Sequence, residues 1–224
     1  MLYSTDSKLE FVNYYGNTSL FSLEILRKSA KPIGEMNLLS IGCLMPHLAD
    51  YIGLFNHVHH NSMTETRLPV TPQSIADRYT EHRYDFFELP ELNVDAVFSH
   101  AAIHCFSDPR YGNDSNETDQ RKPYQAAGKL RQIIGSKKIP VVVSIAVNEQ
   151  EGFFRDNVHL GHARFIESFK FAGFELRDYF FDYVCGGIAF KPEYLNCETR
   201  RSKTLPGVGP SGREWVVGNY WFVS

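Results

Sequence analysis

The sequence predicts an α/β fold built on a doubly wound, mostly parallel sheet of seven strands whose last strand runs antiparallel. Three observations lead there. Short apolar runs at Asn37–Ile41, Val94–Ser99 and Ile139–Ala146 read as strands buried on both faces. Segments with helical spacing separate them, and parallel strands need such crossovers. After Gly173 the alternation stops, and two aromatic runs, "FELRDYFFDYV" and "EWVVGNYWFVS", read as terminal strands joined by a long loop.

Each element has its own warrant. Residues 1–34 form a helical lead-in centred on Ser19–Ala30, where Leu20, Leu23, Ile25 and Leu26 recur at helical spacing. Asn37–Ile41 is the first strand and "HVHHNS" the second. In "TPQSIADRY", Thr71 is placed to cap a helix and Pro72 to open it. "YQAAGKLRQII" is a short helix ahead of Ile139–Ala146. "LGHARFIESFKFAG" sets Phe165, Ile166 and Phe169 on one face and stops at Gly173. The loop between the last two strands spans residues 186–213. At 224 residues the chain is long enough for one core, and a single domain over 1–224 is expected.

Composition excludes some classes of function. With 26 acidic and 23 basic residues, the net charge of −3 gives no footprint for nucleic acid or an anionic membrane. No window approaches the ~18 apolar residues of a membrane span. The start, "MLYSTDSKLEFVNYYG", has neither a basic nor a long apolar stretch, so a cytoplasmic protein is expected. Cys43, Cys105, Cys185 and Cys197 form no CxxC pair, which argues for reduced thiols rather than a zinc ribbon or a redox motif.

In a doubly wound sheet the ligand sits outside the carboxyl ends of the strands, where the strand order reverses. There the first strand meets Gly42, followed by Cys43, Leu44 and Pro46 where a glycine-rich turn is usual. The order and spacing of the elements match the Rossmann-like class I methyltransferase fold, whose cofactor is S-adenosylmethionine. On that reading Gly42, Cys43, Leu44, Pro46, Asn61 and Ser99 line the cofactor. Asn61 ends the second strand, where an acid would bond ribose hydroxyls; an amide can do so without charge assistance. The plainer alternative stays open: residues 42–46 form a tight strand-to-helix turn in a fold that has given up its cofactor.

The stretch "VFSHAAIHCFSDPRYGNDSNETDQRKPYQAAGKL" resembles the methyltransferase-like family known as domain of unknown function 268. In that family a strand ends in Ser-x-Ser-Ser-Ile-Glu-His and runs on to Arg-Tyr-Gly-Asp. Ser99, Ile103 and Arg110-Tyr111-Gly112 match, and Asn113 takes the Asp position. His104 stands in place of Glu and Cys105 in place of His. The family's first loop has a Pro four residues after its Gly, as Gly42 and Pro46 do here. Its Asn-x-His-Arg is met by Asn157 and His159, with Leu160 replacing the Arg. The resemblance covers roughly residues 35 to 180. It implies the methyltransferase fold and a setting in polysaccharide assembly, without a settled reaction.

Methyl transfer needs orientation above all, and an oxygen acceptor also needs a base of near-neutral pKa. His104 and His159, beyond adjacent strand ends, are the catalytic candidates. Arg110, Tyr111 and Asn157 are the acceptor-binding candidates, since guanidinium forks grip anions and tyrosine offers a stacking face. Each has a plainer reading: a histidine bonded to backbone, or Arg110 paired with Asp108 or Asp114. "HVHH" has no second ligand pair at a recognised spacing, so no metal is expected. Arg200, Arg201 and Lys203 read as a solvated basic patch. The expected function is an S-adenosylmethionine-dependent methyltransferase acting on a saccharide or sugar-linked acceptor. The alternatives are a non-catalytic scaffold in glycan assembly, or a site repurposed for another nucleotide or nucleotide sugar.

Overall fold

In the computed structural model the described residues are 16–42, 51–62, 77–107, 121–149, 151–154, 157–184, 203–205 and 215–224. The strands are β1 (Asn37–Ile41), β2 (His57–Asn61), β3 (Tyr79–His82), β4 (Ala96–His100), β5 (Pro140–Asn148), β6 (Gly152–Phe154), β7 (Asn157–Gly161), β8 (Glu175–Val184) and β9 (Trp215–Val223). The helices are α1 (Gly16–Leu26), α2 (Lys122–Ile134) and α3 (His162–Phe171).

Strands β3, β2, β1, β4 and β5 lie side by side and all parallel. The order reverses between β1 and β4, which makes their carboxyl ends the switch point. β9 runs antiparallel to β5, and β8 antiparallel to β9. This is the expected architecture with a hairpin added, giving nine strands among the described residues rather than seven. The reason lies in β5. It runs past the expected end at Ala146 to Asn148, while β9 covers it only from Pro140 to Ala146. β7 pairs with the last two residues of β5, Val147 beside Leu160 and Asn148 beside Gly161, and β6 pairs back onto β7.

Other boundaries move for local reasons. α1 ends at Leu26, with turns over the next residues instead of helix to Ala30. The expected start of a helix at Thr71 and Pro72 lies outside the described residues, and its expected end is a turn at Asp77–Arg78 followed by β3. Of the loop at 186–213, residues 203–205 are described.

The sheet is covered on both faces. On one, Leu39, Ile41, Val97, Val141 and Val143 pack under Leu130, Ile133 and Ile134 of α2 and Phe165 and Phe169 of α3. The period of α2 puts Ala126, Ala127, Leu130, Ile133 and Ile134 on one buried stripe, and Gly135 at φ 63° ends it. On the other face Leu38, Val58, Ala96, Phe98 and Val142 meet Phe21, Ile25 and Leu26 of α1 and Tyr51, Ile52 and Phe55. Each Val, Leu, Ile or Phe among them contributes about 1.5–3 kcal/mol by leaving water. Among the described residues no helix is long and apolar enough to cross a membrane.

Candidate functional site

The switch point is built on one glycine. Gly42 takes φ +60°, a conformation that side chains disfavour, and its N–H donates to the Asn61 carbonyl at 3.1 Å. A Cβ on Gly42 would lie 2.2 Å from the Cβ of Ala102, so the space it leaves is filled by the turn after β4. That turn is itself strained, with Ala101 at φ +52°. The Ala101 N–H donates to the Ser144 carbonyl at 2.9 Å, tying the turn to β5. Cys43, Leu44 and Pro46 lie outside the described residues, as do Arg110 and Tyr111.

Asn61 ends β2 as expected and is buried. Its amide donates to the carbonyls of His82 at 3.1 Å and Tyr84 at 3.0 Å. Both amide protons are therefore spent on anchoring the end of β3, which leaves Oδ1 as the atom suited to a ligand hydroxyl. Ser99 is fully buried near the end of β4, and its hydroxyl has no hydrogen-bond partner among the described residues. Ser40 on β1 shares that property.

His104 sits in a 3₁₀ turn at Ile103–Ser107 and is buried. His159 lies within β7 and is buried too, its Nδ1 3.5 Å from the Val147 carbonyl. Burial lowers the His159 pKa, so the ring is neutral near pH ~7. β7 packs beside the 3₁₀ turn, which brings the two histidines onto neighbouring segments. Asn157 opens β7, its backbone paired with Phe154. The hairpin is pinned from α2: the Gly161 N–H donates to the Tyr124 hydroxyl at 3.1 Å. Arg164 lies 4.3 Å above the Tyr124 ring and pairs with Glu151 at 2.7 Å. Burial, above all, pushes the Tyr124 hydroxyl up to about 12.

Sequence reasoning missed the pair Tyr51 and His100. The Tyr51 hydroxyl meets His100 Nε2 at 3.0 Å with both residues buried, joining the helical turn at 51–54 to the end of β4. The two lie 49 positions apart, and no local pattern marks them. The basic patch reads differently as well, since Lys203 pairs with Asp178 and lies over the Tyr179 ring. Arg200 and Arg201 are outside the described residues. Among the described residues no three His, Cys, Asp or Glu side chains gather as a metal-ion site.

No protein-family model and no curated protein matches the chain, so the resemblance to domain of unknown function 268 rests on the quoted residues alone. Solved structures do match. The (4+2)-cyclase SpnF is 13% identical, with a TM-score of 0.57 over 92% of this chain and 80% of that one. Magnesium protoporphyrin IX methyltransferase from Synechocystis, solved with bound S-adenosylmethionine, is 9% identical, with a TM-score of 0.55 over 98% and 85%. The 1,6-didemethyltoxoflavin-N1-methyltransferase of Burkholderia thailandensis, solved with bound 1,6-didemethyltoxoflavin and S-adenosylhomocysteine, is 12% identical, with a TM-score of 0.55 over 96% and 85%. The fold is that of the class I methyltransferases.

Proposed function

We propose that the chain binds S-adenosylmethionine at the carboxyl ends of β1, β2 and β4 and transfers its methyl group to a small acceptor, saccharide or sugar-linked. The observation that carries this reading is the switch point itself: a φ-positive glycine between β1 and β4, beside a buried Ser99 hydroxyl with no described partner. These residues fit the cofactor. Gly42 would bring backbone close to it, Ser99 would offer a hydroxyl, and Asn61 Oδ1 would accept from ribose. Cys43, Leu44 and Pro46 would complete that side. Bound there, the sulfonium supplies an electrophilic methyl group. The protein's part is orientation and proton removal. A neutral His159 would accept the proton of an acceptor hydroxyl, with His104 on the adjoining turn, while Arg110, Tyr111 and Asn157 would hold the acceptor.

A second reading has its own support. The space that a Gly42 side chain would take is filled by Ala102, and a protein of this fold is named for cyclisation rather than methylation. A scaffold in glycan assembly, or a site for another nucleotide or nucleotide sugar, would use the same fold without methyl transfer. Labelled-methyl transfer from S-adenosylmethionine to a panel of small acceptors, saccharides included, separates the two. Turnover lost in both His104→Ala and His159→Ala, with cofactor binding kept, supports the assignment. Full turnover in both variants contradicts it.

A further inference from the structure

Three histidines share one face of the outer strands. His57 and His59 alternate along β2, and His82 faces them from β3. The ring centroids of His57 and His59 are 4.7 Å apart, and those of His59 and His82 are 5.5 Å apart. His59 Nδ1 lies 3.3 Å from His82 Nε2, with the rings 27° from parallel. Rings set side by side in this way share one proton along the N–N line and do not aim two lone pairs at a common ion. His82 Nδ1 in turn meets the Tyr84 hydroxyl at 3.0 Å, and His57 Nε2 meets Thr80 Oγ1 at 2.9 Å.

The proton count along this chain sets its behaviour. With both rings neutral, one consistent arrangement has the Tyr84 hydroxyl donating to His82 Nδ1 and His82 Nε2–H donating to His59 Nδ1. One extra proton, on His82 Nδ1, is accommodated, because that nitrogen then donates to the Tyr84 oxygen. A second, on His59 Nδ1, is not, because two N–H groups then face each other at contact distance. Among the described residues no carboxylate faces the cluster to absorb the charge. Glu81 lies on the opposite face of β3, beside His60 and paired with Arg83 at 2.6 Å.

We infer that the His59–His82 contact is an acid-sensitive lock, holding β3 against the sheet while the pair carries at most one extra proton and releasing it when both rings are protonated. The element it controls is small and at the sheet edge. β3 has four residues, pairs with β2 alone among the described strands, and carries the carbonyl of His82 that anchors the Asn61 amide. Opening the lock therefore frees Asn61 at the switch point. Burial first, then the neighbouring His57 and His82, lowers the His59 pKa to about 4, and burial followed by His57 lowers that of His82. The lock stays closed at neutral pH and opens in acid.

Hydrogen exchange on the full chain, corrected for intrinsic rates, tests this. Protection in β2 and β3 is expected to fall at least about tenfold relative to β4 and β5 between about pH 6.5 and about pH 4.5. His59→Leu should cut that selective loss severalfold, leaving the part that His60 on the same strand contributes. Protection that falls equally in all four strands, or a selective loss unchanged in His59→Leu, overturns the proposal. Should that variant fail to fold, NMR titration of the intact protein decides: coupled, depressed titration of the His59 and His82 rings supports the lock, and two independent transitions near about 6.5 overturn it.

Discussion

Gly42 and Ala102 interlock at the switch point: a Cβ added to Gly42 would stand 2.2 Å from that of Ala102. Gly42 directly follows β1 and Ala102 lies two residues beyond β4, the neighbouring strand in the sheet. Gly42→Ala therefore meets both a φ of +60° and a steric clash with a side chain too short to turn away. The expected loss is about 2–4 kcal/mol, as strain and overpacking add. Ala102→Gly in the same chain should restore only the clash component, so the double variant should be more stable than the sum of the singles predicts. Urea denaturation of the three proteins measures this coupling.

Tyr51 ties the helical turn at 51–54 to the end of β4. Tyr51→Phe keeps the ring packed against Phe55 and Phe98 and removes the hydroxyl that bonds His100. A loss of about 1–3 kcal/mol is expected, because a buried imidazole nitrogen loses that bond. Thermal denaturation checks it, and an unchanged midpoint would show that the bond carries no net stability.

An acid at the end of β2 is the usual ribose ligand, so Asn61→Asp looks like a gain for cofactor binding. The geometry predicts the reverse. Carboxylate oxygens cannot donate to the carbonyls of His82 and Tyr84 and would repel them. Stability should fall by at least about 2 kcal/mol, and affinity for S-adenosylhomocysteine should fall with it. Paired calorimetry and denaturation of wild type and variant test both.

Stability should decline in mild acid through His60. Burial is the main cause that lowers its pKa to about 4, with smaller opposing contributions from the Ser40 carbonyl and Glu81. The unfolded chain, with a histidine pKa near about 6.5, takes up the proton first. His60 therefore contributes its full stability above about pH 6.5 and loses it as pH falls towards about 4, roughly 2 kcal/mol between about pH 7 and about pH 5. Burial shifts His159 and His162 in the same direction, and both add to the slope. His60→Leu should flatten part of it in urea titrations at the two pH values.

Much of this sheet was legible because burial on both faces leaves a local mark. β1 falls where its apolar run does, at Asn37–Ile41, and the two terminal strands match their aromatic runs. Val94 reads as part of β4 because it opens the apolar run, yet its N–H bonds the Leu92 carbonyl and pairing begins at Ala96. The β6–β7 hairpin left no signal. It docks on the last two residues of β5, Val147 and Asn148, beyond the pairing with β9 that ends at Ala146. Gly42 was legible as a turn residue. The role of Ala102 was not, since it needs two turns 60 positions apart to meet. Likewise "HVHH" announced imidazoles on β2 but not His82, which the register of β3 supplies.

Calorimetric titration of the purified chain with S-adenosylmethionine and S-adenosylhomocysteine, with Ser99→Ala alongside, tests the central claim most directly. The account predicts binding at about micromolar concentrations, weakened about tenfold or more when the Ser99 hydroxyl is removed. Absence of binding by either ligand at about millimolar concentration, in a protein shown to be folded, would contradict it.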